Sequence, residues 1–434
     1  MWFMPMRYGY VRAICLAPYP LLLTPLFITY ANAQTNNWSN NCESTTRTSN
    51  YCKLTSVPTS ITSASHYVNN PGSQPTTLIV ESNVQITVNY AGTGTNPTII
   101  GNLDTQSAFN LTVNTGARLQ NNSAGAFALY TVQNSNTTLV NNGSISRTGI
   151  LGSLTATNNT GATIQRIAAS YGTHSVTNAG TITDIAVQQS STFTMLDNSG
   201  TLTNLTMPNQ STLQNATNTG TITFFSITHA SAVVNSFTND TGGTLTTLYT
   251  NNNAQIQNFT NKGTLTTISN GIGTQNGAGN TTYRLNGQGR ITTFTNEGTL
   301  SGAFNNGTRG VIETFTNSGS MSNAGTTGVN SNNNFNQITT FTNTSTGTIA
   351  FLRNGGSSNS AAMITTLNNE GTWNNLTNAN ISQALTTIGT LNNSGSFTTL
   401  LNQGAKSRIT TLNNQTSGTI TTLNNGTGAV ITTL

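Results

Sequence analysis

The stretch Gly200-Thr-Leu-Thr-Asn-Leu205 contains the phrase that decides the fold of this chain. The phrase reads Gly-Thr-(Leu/Ile)-Thr, then one or two residues, then an apolar residue. It also begins at Gly180, Gly220, Gly243 and Gly263. Successive glycines of this set lie 20, 20, 23 and 20 residues apart. A repeat of this length is typical of a solenoid, in which each repeat packs only against its neighbours.

Downstream, a second phrase continues the period: Ile-Thr-Thr-(Phe/Leu)-(Thr/Asn)-Asn-x-Gly. It starts at Ile291, Ile338, Ile364, Ile409 and Ile431, with variants at Ile312 and Leu385. β-Branched residues followed by Asn and Gly favour strands and turns over helices. We therefore predict an all-β solenoid whose coils each hold two or three short strands and stack in parallel about 4.8 Å apart.

The apolar residues of the second phrase, such as Ile338 and Phe341, are three positions apart. Strict strand alternation would place inward residues two apart. We interpret the extra residue as a bend in or beside the phrase. The predicted core comprises Ile182, Leu202, Leu205, Ile222, Leu245, Leu248, Leu265, Ile268, Ile291 and Phe294.

Composition supports many strands joined by tight turns. The 434 residues include 87 Thr, 65 Asn and 41 Gly, but only 14 Lys and Arg and 9 Asp and Glu. A soluble domain usually has about a quarter of its residues charged, so an ordinary cytoplasmic enzyme is not expected. The formal net charge is +5, yet no basic run could follow a phosphate backbone, and we do not expect a nucleic-acid partner.

Spacing divides the chain into four parts. Residues 141–434 hold about 13 coils, residues 76–140 form about three irregular first coils, and residues 34–75 are a predicted N-terminal cap. This gives about 16 coils in all, at roughly 22 residues each. We expect Asn side chains to form ladders between coils, as they do in cross-β stacks.

Residues 1–33 have the pattern of an export signal. Arg7 and Arg12 precede an apolar stretch, and Ala31-Asn32-Ala33 matches a cleavage site, so we predict cleavage between Ala33 and Gln34. A retained membrane helix is the alternative, but prolines interrupt the stretch. No later segment is apolar enough to span a bilayer as a helix. We therefore expect the mature chain to be exported.

Cys42 and Cys52 are the cysteines left after removal of the signal, which contains Cys15. In an oxidising compartment they would form a disulfide that closes a small loop. Two free thiols are the alternative. A metal site is a weaker interpretation, because only His66 lies nearby and a four-ligand set is lacking. We expect no metal and no cofactor.

The repeats, such as Ile364-Thr-Thr-Leu-Asn-Asn-Glu-Gly371, resemble the passenger regions of the vacuolating-cytotoxin-like autotransporters of Helicobacter. The resemblance covers about residues 140–434. It implies a right-handed parallel β-helix, export, and display at or release from the cell surface. The family's pore-forming toxin has repeated G-x-x-x-G near its N-terminus, whereas residues 34–75 contain a single glycine, Gly72. We therefore do not expect pore formation.

The family also ends in an outer-membrane barrel, whereas Val430–Leu434 lies inside a repeat phrase. The expectation is that further repeats are encoded downstream, or that the product is truncated and has no present activity. An uncovered last coil would expose strand edges, so we also expect end-to-end self-association.

No catalytic constellation is evident, and we expect no enzyme activity. The three histidines, His66, His174 and His229, lie apart from any metal-ligand pattern. The acids of the repeats are spread over different coils: Asp184, Asp197, Asp240, Glu297, Glu313 and Glu370. We expect an adhesion, colonisation or toxin-like protein that binds a host surface receptor or glycan. The alternative is a β-helical polysaccharide-active enzyme or carbohydrate binder, which stacked carboxylates would favour.

Overall fold

The computed structural model describes residues 51–55, 60–61, 65–69, 76–88, 98–102, 105, 108–122, 127–271, 275–276, 280–281, 289–307, 309–322, 326–327, 336–355, 361–379 and 385–434. They belong to one compact unit, Gln34–Leu434. Within these ranges the secondary structure is entirely strand, with no helix. Accordingly, no described segment forms a helix that could cross a membrane.

Two sheets run the length of the array, and their strands are numbered in chain order. The first sheet contains β1 (Tyr51–Leu54), β4 (Thr77–Val80), β7 (Ala108–Val113), β10 (Asn136–Asn141), β12 (Ser153–Asn158), β14 (Thr173–Asn178), β16 (Ser191–Asn198), β18 (Ser211–Asn218), β20 (Ala232–Asn239), β22 (Gln255–Asn261), β26 (Arg290–Asn296), β29 (Val311–Asn317), β32 (Asn336–Asn343), β34 (Ala362–Asn369), β36 (Thr386–Asn393), β38 (Ser407–Asn414) and β40 (Val430–Thr433).

The second sheet contains β2 (Ser60–Ile61), β3 (Ser65–Asn69), β5 (Gln85–Val88), β6 (Thr98–Asn102), β8 (Arg118–Asn121), β9 (Phe127–Thr131), β11 (Ser144–Ile150), β13 (Thr163–Ala169), β15 (Thr181–Val187), β17 (Thr201–Met207), β19 (Thr221–Ile227), β21 (Thr244–Thr250), β23 (Thr264–Asn270), β27 (Thr299–Leu300), β28 (Phe304–Asn306), β30 (Ser320–Met321), β31 (Thr326–Thr327), β33 (Thr348–Asn354), β35 (Thr372–Ala379), β37 (Ser396–Gln403) and β39 (Thr419–Asn425). A short antiparallel pair, β24 (Gln275–Asn276) and β25 (Asn280–Thr281), lies on an excursion between coils.

Within both sheets the described strands pair in parallel with the equivalent strand of the next coil, as Leu202 does with Ile222. The predicted right-handed parallel β-solenoid is therefore confirmed. The number of its coils differs slightly from the predicted 16. The first coils are longer than expected: the register partners Leu78, Leu111 and Leu139 are 33 and 28 residues apart. Three strands of the first sheet, β4, β7 and β10, nevertheless begin within residues 76–140, one for each of the three first coils predicted there.

The predicted bend is present in both sheets. In the first sheet Ile338 pairs with Ile364 and Thr340 with Thr366, but the register omits Thr339. Two consecutive residues, Thr339 and Thr340, are partly exposed between the buried Ile338 and Phe341. The bend thus turns two adjacent side chains outward and resets the inward parity, which explains the three-residue spacing.

The interior is a narrow apolar column. All ten residues predicted to form the core are at most 1% exposed. Aromatic rings of successive coils stack at centroid distances of 4.5–5.3 Å in the series Phe237, Phe259, Phe294, Phe315 and Phe341. Register forces this contact, because identical positions of neighbouring coils are brought side by side.

A buried asparagine ladder closes one corner of the coils, as the composition predicts. Each Nδ2 donates to the Oδ1 of the next member at 2.7–2.9 Å, and the members are Asn141, Asn158, Asn178, Asn198, Asn218, Asn239, Asn261, Asn296, Asn317, Asn343, Asn369, Asn393 and Asn414. The second proton is used as well: Asn198 Nδ2 also donates to the Thr221 carbonyl at 3.2 Å. These buried amides therefore have partners, as burial requires.

The glycine that follows the ladder residue by two positions is required by close stacking. A Cβ on Gly220 would lie 2.1 Å from the carbonyl oxygen of Gly200 in the preceding coil. No side chain can be accommodated at that distance. The Asn-x-Gly phrase therefore joins a ladder asparagine to a corner at which the backbones of successive coils are in close contact.

Candidate functional site

Register places one unusual column on the outer face of the second sheet. It consists of Arg147, Arg166, Asp184, Asn204 and Phe224, one from each of five successive coils. Elsewhere in the array the same position is often threonine, as at Thr247 and Thr267. The bend after the Gly-Thr-(Leu/Ile)-Thr phrase turns these side chains outward, so the column is available to a ligand.

Two positions further along each strand, a column of smaller residues runs beside it. Its members are Gly149, Ala168, Ala186, Thr206 and Ser226, and the column ends at Tyr249. Alternation points Ala186 and Ser226 outward, yet they are only 2% and 7% exposed. The column is therefore recessed between larger neighbours. We call these two columns together the second-sheet furrow.

One ion pair lies in the furrow. Arg166 Nε is 3.1 Å from Asp184 Oδ2, and the side chains are 41% and 22% exposed. Burial of the Asp184 carboxyl raises its pKa, and the positive charge of Arg166 partly offsets this effect. Arg147 lies directly opposite Arg166 in the next coil. Within the described part of the chain, no carboxylate lies within ion-pair distance of Arg147.

Aromatic rings stand at both ends of the furrow. At one end the Phe127 ring covers Gly149, where an added Cβ would lie 2.7 Å from the ring, and Phe127 packs against Tyr130 at 5.8 Å. At the other end Phe224 stacks on Tyr249 at 6.3 Å. Burial raises the pKa of Tyr249 to about 12. The phenol is therefore neutral at physiological pH, and its oxygen accepts a 2.8 Å hydrogen bond from Asn251 Nδ2.

A second polar surface lies on the first sheet. It is a shallow depression of about 520 Å³ lined by Gln255, Gln257, Asn258, Arg290, Thr292 and Glu313. These residues come from or border three successive strands, β22, β26 and β29. Arg290 and Glu313 form an ion pair at its centre. Planar amides, a guanidinium and a carboxylate thus converge on one rigid surface, which we call the first-sheet depression.

The acids whose stacking would favour an enzyme do not stack. Asp184 lies on the second sheet, and Asp197 lies on the first sheet between Thr177 and Thr217. Asp240 follows β20 at a corner, where its Oδ1 is 3.8 Å from Lys262 Nζ. Among the residues that the structure describes, no three His, Cys, Asp or Glu side chains group as metal ligands would.

The other acids also lie apart. Glu297 and Glu370 occupy the corners that follow β26 and β34, while Glu313 lies on the first sheet in the depression. Their positions on separate coils and faces do not create the paired carboxylates of a glycoside-cleaving site.

His174 and His229 do not contribute to either surface. His174 is fully buried in β14, where its ring lies 5.0 Å from the Phe193 ring and its Nε2 is 2.6 Å from the Tyr171 carbonyl oxygen. Burial lowers the pKa of His174 to about 4. His229 lies in the loop after β19, where its Nδ1 accepts a hydrogen bond from the Ser231 amide. His66 is in β3, and its side chain lies outside the described set.

Cys52 is buried in β1 and is disulfide-bonded. Its predicted partner, Cys42, lies outside the described residues, as do Ala33 and Gln34 at the predicted cleavage site. The Cys42–Cys52 pairing and the cleavage therefore stay predictions. Described residues of the predicted cap, 51–54 among them, form strands that pair with the following coil.

Comparison with protein-family models, with curated proteins and with solved structures gives no match. The candidate site consequently stands on the geometry alone. The sequence contained a signal for the furrow: when coils are aligned on their central apolar residue, the second residue after Ile145, Ile164 and Ile182 is Arg, Arg and Asp. The repeat phrase identifies Asp184, but only register joins it to the two arginines.

Proposed function

We propose that this chain is an exported, non-enzymatic interaction protein, displayed at or released from the cell surface, that binds a glycan or receptor of another surface. The first-sheet depression carries this proposal. Its amides, guanidinium and carboxylate can form paired hydrogen bonds with adjacent hydroxyl groups of a sugar. Because these side chains stand on strands that are already paired, we expect ligand binding to cost little conformational entropy.

Two sequence features support the extracellular setting. Residues 1–33 have the pattern of an export signal, and the repeats resemble vacuolating-cytotoxin-like autotransporter passengers. The low content of charged residues and the threonine-rich outer faces suit repeated contact with uncharged hydroxyl groups. The separation of Asp184, Asp197 and Asp240 gives the polysaccharide-cleaving alternative no support from this set of acids.

An oligosaccharide-binding assay tests the proposal. Residues 34–434 would be screened on immobilised neutral oligosaccharides, and the Arg290→Gln and Gln257→Ala variants compared on every sugar that binds. Gln337→Ala is the matched control, since Gln337 lies in the same column as Arg290 two coils away and does not line the depression.

We expect each depression variant to weaken binding about tenfold, since each loses a hydrogen bond to the sugar, which is charge-assisted in the case of Arg290. The control should bind as the parent does. Binding that both depression variants retain in full would refute the depression as the site. Release of reducing sugar ends by the parent chain would refute the non-enzymatic assignment.

A further inference from the structure

We propose that the second-sheet furrow binds an acidic polysaccharide, with Arg118, Arg147 and Arg166 contacting its anionic groups. This site is separate from the first-sheet depression and does not depend on it. It extends the proposed function by a second surface with a defined ligand chemistry, a polymer of sugars that carries carboxylate or sulfate groups.

The first step of the argument is an uncompensated charge. Arg147 and Arg166 face each other across adjacent strands, and like charges in that arrangement repel. Among the described residues, the carboxylate of Asp184 lies on the far side of Arg166 and pairs with that arginine, not with Arg147. Arg147 therefore faces solvent beside another cation, and an anion bound there would relieve the repulsion.

The second step is spacing. Arg118 is exposed at the start of β8, one coil before Arg147, on the outer face of the same sheet. Three cations thus occupy three successive coils that are about 4.8 Å apart. The whole chain has only 14 Lys and Arg residues, so this run is a local concentration. Arg118 pairs in register with Ser144, three positions before Arg147, so it lies beside the furrow and extends its positive surface by one coil.

The third step is the shape of the furrow. The side chains of Ala168 and Ala186 at the bottom of the furrow are small, so a sugar ring can approach the sheet closely. The partly exposed rings of Phe127 and Phe224 stand at its two ends, where they can pack against the apolar faces of sugars. Neutral hydrogen-bonding side chains, Asn204 and Thr206, continue the surface between them.

The same features favour a polysaccharide over a nucleic acid. A nucleic acid carries a charge on every nucleotide, and proteins usually meet it with many Lys and Arg residues. The furrow offers two arginines and one carboxylate, with Arg118 beside them, among small and hydroxyl-bearing side chains. Sparse charge among neutral groups matches a chain of sugars in which only some hydroxyls are replaced by anionic groups.

The test uses residues 34–434 and four probes: oligomeric alginate, heparin, neutral dextran and single-stranded DNA, each titrated at low and at high salt. The double variant Arg118→Gln/Arg147→Gln removes two arginines of this surface that form no ion pair with any described residue. Arg408→Gln is the matched control, because Arg408 is an exposed arginine in β38 of the first sheet.

We expect the parent to bind alginate or heparin in a salt-sensitive manner. It should not bind dextran at the furrow. The double variant should weaken acidic-polysaccharide binding at least tenfold, because two charge-assisted contacts are lost. Arg408→Gln should leave it unchanged. Preference for alginate would indicate carboxylates as the ligand groups, and preference for heparin would indicate sulfates.

Several results would overturn the furrow proposal. Equal losses in the double variant and in Arg408→Gln would show general charge attraction instead of a site. Tighter binding of DNA than of either acidic polysaccharide would assign the cations to nucleic acid. Absence of binding to both acidic probes would remove the site altogether. Arg290→Gln should not affect these titrations, so failure here and failure of the first-sheet depression are distinguishable.

Discussion

The last inward residue of each strand is polar in the first sheet from β10 to β38, whereas in part of the second sheet it is apolar. In the first sheet this residue is an asparagine from Asn141 to Asn414. In the second sheet it is apolar in five successive coils, at Ile150, Ala169, Val187, Met207 and Ile227. From Thr250 onward the second sheet also becomes polar, and Thr250 donates to Asn270 Oδ1 at 2.8 Å.

The corners that follow these residues explain the difference. In the first sheet only two residues separate β16 from β17, and the amide of Asn198 donates to the Gly200 and Thr221 carbonyls, both at 3.2 Å. In the second sheet three residues separate β15 from β16, and Ser191 Oγ donates to the Gln188 carbonyl at 2.7 Å. Where another side chain donates a hydrogen bond to a carbonyl group of the corner, the last inward residue of the strand can be apolar.

The largest expected effect is that of a charge placed in the apolar half of the second sheet. Leu205 is fully buried between Ile185 and Phe225. Leu205→Asp should cost several kcal/mol of unfolding free energy, because the carboxylate would be buried among apolar side chains. Urea denaturation and limited proteolysis measure this. The control, Thr203→Ser on the outer face, should change stability by less than about 0.5 kcal/mol. Equal protease resistance of both variants would contradict the core assignment.

Exchanging the two kinds of inward residue should give the next largest effect. Asn218→Leu leaves Asn198 Nδ2 without its side-chain acceptor and Asn239 Oδ1 without its donor, and should cost about 3 kcal/mol. Met207→Asn places an amide next to Ile227 and should cost about 2 kcal/mol.

Unfolding in urea measures both exchanges, and Met207→Leu should stay within about 1.5 kcal/mol of the parent. An Asn218→Leu variant that is as stable as the parent would show that the ladder is dispensable at this corner. The comparison between the sheets would then fail.

The smallest effect at neutral pH is expected at His174, which interrupts the apolar positions of the first sheet between Leu154 and Phe193. Burial lowers its pKa to about 4 in the folded state, against about 6.5 when unfolded. Above pH 6.5 both states are neutral. As the pH falls from 6.5 to 4, only the unfolded state gains the proton, so the folded state loses up to about 3 kcal/mol.

His174→Phe should remove this loss. The variant and the parent would be unfolded in urea at pH 7.5 and at pH 4.5. The stability difference between them should grow in favour of the variant at the lower pH. Parallel stability curves for the two proteins across this range would rule out a neutral buried imidazole at position 174.

Much of the fold was predictable from local residue chemistry. The spacing of Gly200 and Gly220 predicts the coil length, and the β-branched phrases predict strands. The apolar residues three apart predict the bend. The length of the first coils was less accessible, because the segment around Leu111 lacks the repeat phrase.

The candidate site was less predictable than the fold. Asp184 was identified from the sequence as one of the acids of the repeats, but its partner Arg166 lies 18 residues earlier and outside the repeat phrase. Phe127 and Tyr130 were not identified, because an isolated aromatic residue in a Thr-rich segment does not reveal whether it faces the core or solvent.

The sequence by itself determined the class of fold, the coil length and the identity of the core, because these depend on periodicity and on which side chains avoid water. Only the tertiary structure decided which residues of different coils stand side by side. That choice is made by register, since a shift of one residue would move every side chain to the opposite face of the sheet. The asparagine ladder, the Arg147–Arg166 repulsion and both candidate surfaces follow from that register.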